Sequence, residues 1–326
     1  TCPFGFHGLP SYFQHLMSDV VFEGLEGYGL ETFIDDIVNH SNEVERSLYQ
    51  LEECFKRAAK WDLRFNPKKC SFNASKAIFL GHEVDGEGHR HTAKRIEGLE
   101  AMERPHDSKQ LKSFLGLANY FCEHLGMDYS DVSSPLHHLT KKNVQWQWTE
   151  KEQAAFEEIK RRIVANPKLY FLDYDHPIYV RCDASKSGCG AQLFQVINGK
   201  EHPVSYISKS FTPAERNWST LEQELYAAVW SVKRWKDMLE GHPFIVMTDH
   251  KNILQLSKSE VPKIVRWRLM LQQFNFSIMH VAGNDSKHVV ADCLSRLHGP
   301  AHQSTLSCNA VLRSATHNNR KLSGTC

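Results

Sequence analysis

Two placements of carboxylates in this chain could do chemistry. The stretch FIDDIV, residues 33–38, sets Asp35 and Asp36 between apolar pairs. Four more acids, Asp183, Glu224, Asp249 and Asp292, fall at the ends or edges of expected elements further on. Ionised carboxylates are costly to bury, and neighbouring ones repel. An Asp-Asp pair between short apolar runs reads in two ways: as the turn of a hairpin, or as a hairpin that presents carboxylates to a divalent cation with bound phosphate. A cluster of three Asp and one Glu needs cations to offset its repulsion. Two magnesium ions there would clamp both sides of a phosphodiester in line.

The elements that must position the four later acids follow from hydrophobic period. PIYVRCDAS, CGAQLFQV and HPVSYIS alternate as three short strands with turn signals between them. Asp183 closes the first strand, and Asp249 closes a later one, PFIVMTDH. In an α/β sheet ligands gather at the carboxyl ends of strands, so two such acids face one site if their strands are neighbours. A helix is expected from Thr220 to about Leu239, with Thr220 and Gln223 as its capping box. Its apolar stripe runs Leu221, Leu225, Ala228, Val232, Trp235 and Leu239. At ~100° per residue, Glu224 falls roughly 60° from the stripe's centre, at the border of the buried face. Asp292 begins a further helix, near Val289–Leu297, after the turn GNDSKH. Each acid also has an ordinary structural role open to it: a cap for Asp292, turns for Asp183 and Asp249, a border salt bridge for Glu224. No competing chemistry is visible. The chain has no P-loop, no Gly-x-Ser-x-Gly, no His-Glu-x-x-His, and its nineteen histidines lack ligand spacing.

The earlier segments read differently. After FIDDIV, Asn42 and Glu45 form a helix-starting box, and Val44, Leu48, Leu51 and Phe55 keep a helical period to about Leu63. CSF and AIFLGHEV follow as strands around a turn near Asn73. Residues 92–165 are helical, with Asp107 and Gln110 capping a stripe of Leu111, Phe114, Leu115, Ala118 and Phe121. A last helix of that run spans about Thr149 to Val164 and stops at Asn166-Pro167. After the strand PFIVMTDH come a helical stretch around Val261–Gln273 and a strand, FSIMHV. The fold class expected is α+β and α/β multidomain. Its parts are residues 1–91 of mixed strands and helices, a helical segment 92–166, a mixed-sheet α/β domain 167–298, and a Ser/Asn/His/Thr-rich tail 299–326 expected to be disordered.

Composition agrees with a soluble multidomain protein: 326 residues, 41% hydrophobic, 24% charged, net charge +1. No run approaches the length of a membrane span. Nine cysteines without a Cys-x-x-Cys pair argue against a disulfide framework or zinc ribbon and for a reducing compartment. The front is acidic and the rear basic. Lys258, Lys263, Arg266 and Arg268 crowd into one helical stretch with Glu260 alone opposing them. That stretch reads either as a solvated basic face or as a contact for phosphate backbones.

Together these motifs resemble the Pol polyprotein of gypsy-class LTR retrotransposons, from the middle of the reverse transcriptase through the RNase H. PFGFHGLPSYFQHLM is similar to the family's segment beside the incoming nucleotide and template, and FIDDIV to its Y/F-x-DD hairpin. DAS at 183–185, LEQELYA at 221–227, TDH at 248–250 and VVADCLSRL at 289–297 match the four RNase H acid motifs in order. The resemblance implies a partial reverse transcriptase palm, a helical thumb or connection, and an RNase H-like domain. It implies that Asp35 and Asp36 are palm metal ligands, and that Asp183, Glu224, Asp249 and Asp292 hold two Mg2+ ions, for which Mn2+ can substitute. Lys69 matches the polymerase lysine, and Gly81 and His82 lie in a segment similar to the primer-gripping hairpin. The implied partners are an RNA–DNA hybrid, RNA template, DNA primer and the rest of the Pol polyprotein. No membrane is implied, and the setting is intracellular, in virus-like particles or the nucleus.

Departures from the pattern set limits on these expectations. The family's first catalytic aspartate and its fingers belong ahead of residue 1, so the polymerase site is expected to be incomplete here. Gly8-Leu9 stand where Asn-Ala is usual and Cys122 where Arg is usual, which suits a decaying copy. The rival expectation is a catalytically inactive nucleic-acid-binding remnant.

Overall fold

The computed structural model describes residues 8–249 and 260–281, and the backbone of 306–307. The chain divides into two compact units, Thr1–Thr92 and Ala93–Cys326.

In the first unit, helix α1 (Leu9–His15) runs into a π-helical turn, Leu16–Val21. Met17, Val21, Phe22, Leu25, Leu30 and Cys54 make its small core. Strands β1 (Leu30–Phe33) and β2 (Asp36–Asn39) form an antiparallel hairpin in which Phe33 faces Asp36. The turn residues are therefore Ile34 and Asp35, and Asp36 already belongs to the strand.

Helix α2 (Val44–Lys60) follows, and two expectations for it need correction. The Asn42–Glu45 box does not form: Glu43 is the N-cap without a side-chain bond, and the Ser41 hydroxyl accepts from the Glu43 N–H. The stripe from Val44 does not face the core either. Val44 is 76% and Leu48 60% exposed, whereas Gln50, Cys54 and Ala58 are buried. Polar bonds choose that face, because Gln50 donates to the Tyr28 carbonyl and Arg57 to that of Glu23. The strand expected at CSF is also absent. Strands β3 (Lys76–Phe79), β4 (His82–Asp85) and β5 (Gly88–His91) form an antiparallel meander. AIFLGHEV breaks at Leu80-Gly81, whose φ values of 51° and 78° give the two-residue turn that suits a hairpin.

The second unit opens with helices α3 (Ala93–Glu100), α4 (Ser108–Tyr120), α5 (Tyr129–Leu139) and α6 (Glu150–Ala165). Asp107 caps α4 by accepting from the Gln110 N–H at 2.7 Å. Leu111, Phe114, Leu115, Ala118 and Phe121 are all buried against Phe156, Ile159 and Ile163. Thr149 and Glu152 form the capping box of α6, and Asn166 ends it in the left-handed region.

After β6 (Leu169–Tyr170) come β7 (Ile178–Ala184), β8 (Gly188–Ile197) and β9 (Lys200–Ser210), paired as an antiparallel meander. The short helix α7 (Pro213–Arg216) leads to α8 (Thr220–Arg234), α9 (Lys236–Leu239), β10 (Phe244–Thr248), α10 (Pro262–Leu271) and β11 (Phe276–His280). Ser219 with Glu222, one residue earlier than expected, makes the capping box of α8, and the helix breaks at the buried Trp235. Further on, β12 (Leu306–Ser307) pairs antiparallel beside β11. The order across this mixed sheet is β12-β11-β10-β7-β8-β9, with β10 parallel to both β7 and β11. Helix α8 buries Leu225, Ala228 and Val232 against one face, and Tyr179, Phe194, Val196 and Met247 pack on the other.

Candidate functional site

Sheet order explains why Asp183 and Asp249 meet. Strands β7 and β10 are neighbours and parallel, with Val180 beside Val246 and Arg181 beside Met247. Their carboxyl ends lie side by side, so Asp183 and the residue that follows β10 share one edge of the sheet. The alternation that buries Val180 and Cys182 turns Asp183 outward.

Glu224 comes from α8, on the turn where that helix crosses β7. Its side chain is 3% exposed, while Asp183 and Asp249 are exposed. Carboxylate oxygens of the three acids all lie within 4.8 Å of one another. Burial pushes the Glu224 carboxyl up to about 8, and the negative charges of Asp183 and Asp249 push the same way; the Ala184 backbone N–H donating to it pulls down. Burial likewise raises the neighbouring Cys182 thiol well above its ordinary value, so that residue is a filler rather than a ligand. The Asp249 carbonyl accepts from His280 Nε2 at 2.8 Å, and the Thr248 carbonyl accepts from the Val281 N–H at 2.9 Å. Strand β11 thus pins the end of β10. An all-oxygen carboxylate set of this size suits a hard divalent cation such as Mg2+ or Mn2+ and does not suit a soft one. Among the described residues no other group of acids, histidines and cysteines meets that geometry.

The remaining expected site residues fall elsewhere. Asp35 and Asp36 sit exposed at the β1–β2 turn, where Gln14 accepts from the Ile34 N–H at 2.6 Å and donates to the Thr32 carbonyl. Lys69 is exposed in the 3-10 turn Pro67–Lys69. Gly81 is in the β3–β4 turn, and the His82 ring lies 4.4 Å from that of His91. On α10, Lys263 pairs with Glu222 at 2.7 Å and sits over the Trp218 ring, which packs edge-on against Trp267. Arg266 is exposed and Arg268 half-buried. Asp292 and Lys258 lie outside the described residues, as do the helix expected near Val289–Leu297 and the turn before it.

Residues 1–84 match the family described as reverse transcriptase (RNA-dependent DNA polymerase), and residues 173–274 match the RNase H-like domain found in reverse transcriptase. This chain carries reverse transcriptase and RNase H-like domains. Its relatives are retrotransposon Pol polyproteins. One is the retrovirus-related Pol polyprotein from transposon 412 of Drosophila melanogaster, 33% identical over 90% of this chain and 24% of the relative. Another is the transposon Tf2-3 polyprotein of Schizosaccharomyces pombe, 32% identical over 90% of this chain and 22% of the relative. The chain thus spans about a quarter of the length of these curated relatives. Among solved structures, a foamy viral protease-reverse transcriptase in complex with double-stranded DNA aligns with a TM-score of 0.72 and 23% identity, over 86% of this chain and 50% of that one. A foamy viral protease-reverse transcriptase in complex with an RNA/DNA hybrid gives 0.67 and 21%, over 86% of this chain and 39% of that one. Those likenesses support the fold. The acid cluster lies on the RNase H-like domain, and the Asp35-Asp36 hairpin on the reverse transcriptase segment.

Proposed function

We propose that this chain is the reverse transcriptase–RNase H portion of a gypsy-class LTR retrotransposon Pol polyprotein. In this reading its RNase H-like domain cuts the RNA strand of RNA–DNA hybrids. The observation that carries the proposal is the convergence of Asp183, Glu224 and Asp249 within 4.8 Å at the carboxyl ends of two parallel strands. Asp292, in the A-D-x-L-S-R run at 291–296, is assigned to the same site on its motif. That run also supports the gypsy class. Divalent cations held by these carboxylates would activate a water and neutralise charge on the leaving 3′-oxygen.

The chain's own residues prepare that chemistry. Glu224 is raised by burial and by its acidic neighbours, so it gives up its proton when positive charge arrives. Asp183 and Asp249, being exposed, face the side from which a phosphate backbone approaches. His280, donating through Nε2 to the Asp249 carbonyl, fixes the main chain from which Asp249 projects. Arg266 and Arg268 on α10 are assigned to the phosphates of the hybrid, because a hybrid nuclease must follow two backbones without reading bases. Lys263 and Lys258 join them on sequence grounds, with Lys263 already committed to Glu222. Asp35 and Asp36, with Lys69, Gly81 and His82, are assigned to the polymerase half, gripping template, primer and a metal-bound nucleotide.

The purified 326-residue protein, given a hybrid labelled in its RNA strand, tests this. Internal cuts in the RNA with Mg2+ and none with EDTA are expected, with DNA duplex left whole. Binding without any cleavage at saturating Mg2+ would favour the inactive nucleic-acid-binding remnant instead.

A further inference from the structure

The turn that follows Asp183 is closed by a residue more than fifty positions away. Ser185 Oγ accepts from the N–H groups of Ser187 and Gly188, each at 3.1 Å. Its hydroxyl donates to Asp131 Oδ1 at 2.9 Å, nearer than its other acceptor, the Gly188 carbonyl at 3.3 Å. Ser187 Oγ donates to the same Asp131 oxygen. The Ser185 N–H donates to the Gly188 carbonyl at 2.8 Å, so the turn is cinched both by its own backbone and by one external carboxylate. Directly behind it, Asp183 is paired with Gly190 and Ala184 with Cys189.

Asp131 is held where it can do this. It lies in the first turn of α5, just after a segment that Arg162 grips by donating to the Leu125 carbonyl at 2.7 Å and as a fork onto both oxygens of Asp128. The Ser130 N–H donates to Ser208 Oγ on β9 at 2.8 Å. A Cβ added at Gly190 would stand 1.7 Å from the Met127 carbonyl oxygen, which measures how closely this segment is seated on β8. Three carboxylates within 4.8 Å repel, and Asp183 stands at the end of β7 that this turn continues. We propose that Asp131 is a positioning residue of the acid site: it clamps the Ser185–Gly188 turn and so holds the Asp183 end of β7 in line with Glu224 and Asp249. The helical connector is then part of the nuclease site.

The consequence for cation affinity rests on the nuclease reading above; the clamp itself does not. Two variants of the full chain separate geometry from charge. Asp131→Asn keeps an oxygen that can accept from both serines, whereas Asp131→Ala removes it. Amide hydrogen exchange in peptides covering 184–190, measured without metal, reads the clamp. Exchange roughly tenfold faster in Asp131→Ala and parent-like in Asp131→Asn is expected. The Mg2+ concentration for half-maximal hybrid cleavage, together with the Mg2+-induced rise in melting temperature, reads the consequence. Loss of a residue that orients a ligand costs about 10–100-fold, so a shift of at least about tenfold in Asp131→Ala alone is expected. Unchanged exchange in Asp131→Ala would overturn the clamp. Equal impairment of both variants in Mg2+ dependence would overturn it too, since charge rather than hydrogen bonding would then be what matters. A parent that never cleaves would sink the nuclease reading, and the exchange data would still decide the clamp.

Discussion

The two acidic sites are built in opposite ways. At the β1–β2 hairpin, Asp35 in the turn and Asp36 at the start of β2 are both exposed, and no third acid joins them among the described residues. At the sheet edge, Asp183, Glu224 and Asp249 come from three separate stretches of chain, the glutamate buried, and converge. Water can screen the first pair, so it costs the fold little. The second holds its acids in a partly dry pocket, where burial first, and then the charges of Asp183 and Asp249, raise Glu224. A fold keeps such a feature where something positive is to be bound. Adjacent acids in a sequence are thus weaker evidence of a metal site than separate acids brought together by strand order.

Breaking the second site should have the largest effect. Asp249→Asn removes a charged ligand while leaving the strand end in place, so hybrid cleavage should fall by more than about 10²-fold. Hybrid affinity should change little, because phosphate grip is spread elsewhere. Gel shift and cleavage on the same preparation check both, and Asp36→Asn should leave cleavage of the hybrid untouched.

The seating of the connector on β8 predicts the next effect. Gly190→Ala forces a methyl into the Met127 backbone, which cannot yield as a side chain would. Destabilisation of about 3 kcal/mol is expected in urea unfolding, at the upper end for overpacking. Gly86→Ala, with open space around it in the first unit, should be nearly silent. Similar losses at the two glycines would contradict the close packing.

A pH series separates the two sites by the buried glutamate that only one of them holds. Glu224 titrates at about 8 in the folded protein and near 4.5 unfolded, so the folded state holds the extra proton between those values. Without metal, this group's contribution is complete below about 4.5 and is lost as pH rises through 8. A cation takes the deprotonated form, so its own stabilisation grows over that window. The gap in melting temperature between Mg2+ and EDTA should therefore widen from pH 6 to pH 9. A gap that is constant or narrows would mean Glu224 is not a ligand.

The smallest expected effect is at α10. Arg266→Ala with Arg268→Ala should weaken hybrid binding about equally for unrelated sequences, and flatten its salt dependence by roughly one unit or less per lost contact. An unchanged slope would make this segment plain surface.

Much of the second site was legible in sequence, for physical reasons that failed elsewhere. Strand-end acids and a glutamate at the border of an amphipathic face are local signals, and parallel pairing of β7 with β10 made them one site. Helix α2 forms where its period predicts, yet Val44 and Leu48 face outward, because periodicity gives a face and not its direction. Bonds from Gln50 and Arg57 to the distant carbonyls of Tyr28 and Glu23 set that direction. Asp131 carries no local signal. Its partner Ser185 is 54 residues away, and only the packing of α5 on the sheet brings them together.

Asp183, Glu224 and Asp249 are expected to form one cation site. Titration of Mn2+ followed by electron paramagnetic resonance, on the parent, Asp249→Asn and Asp36→Asn, tests it most directly. The tightest class of bound Mn2+ should disappear in Asp249→Asn and persist in Asp36→Asn. Retention of that class in Asp249→Asn, or its loss in Asp36→Asn, would contradict the account.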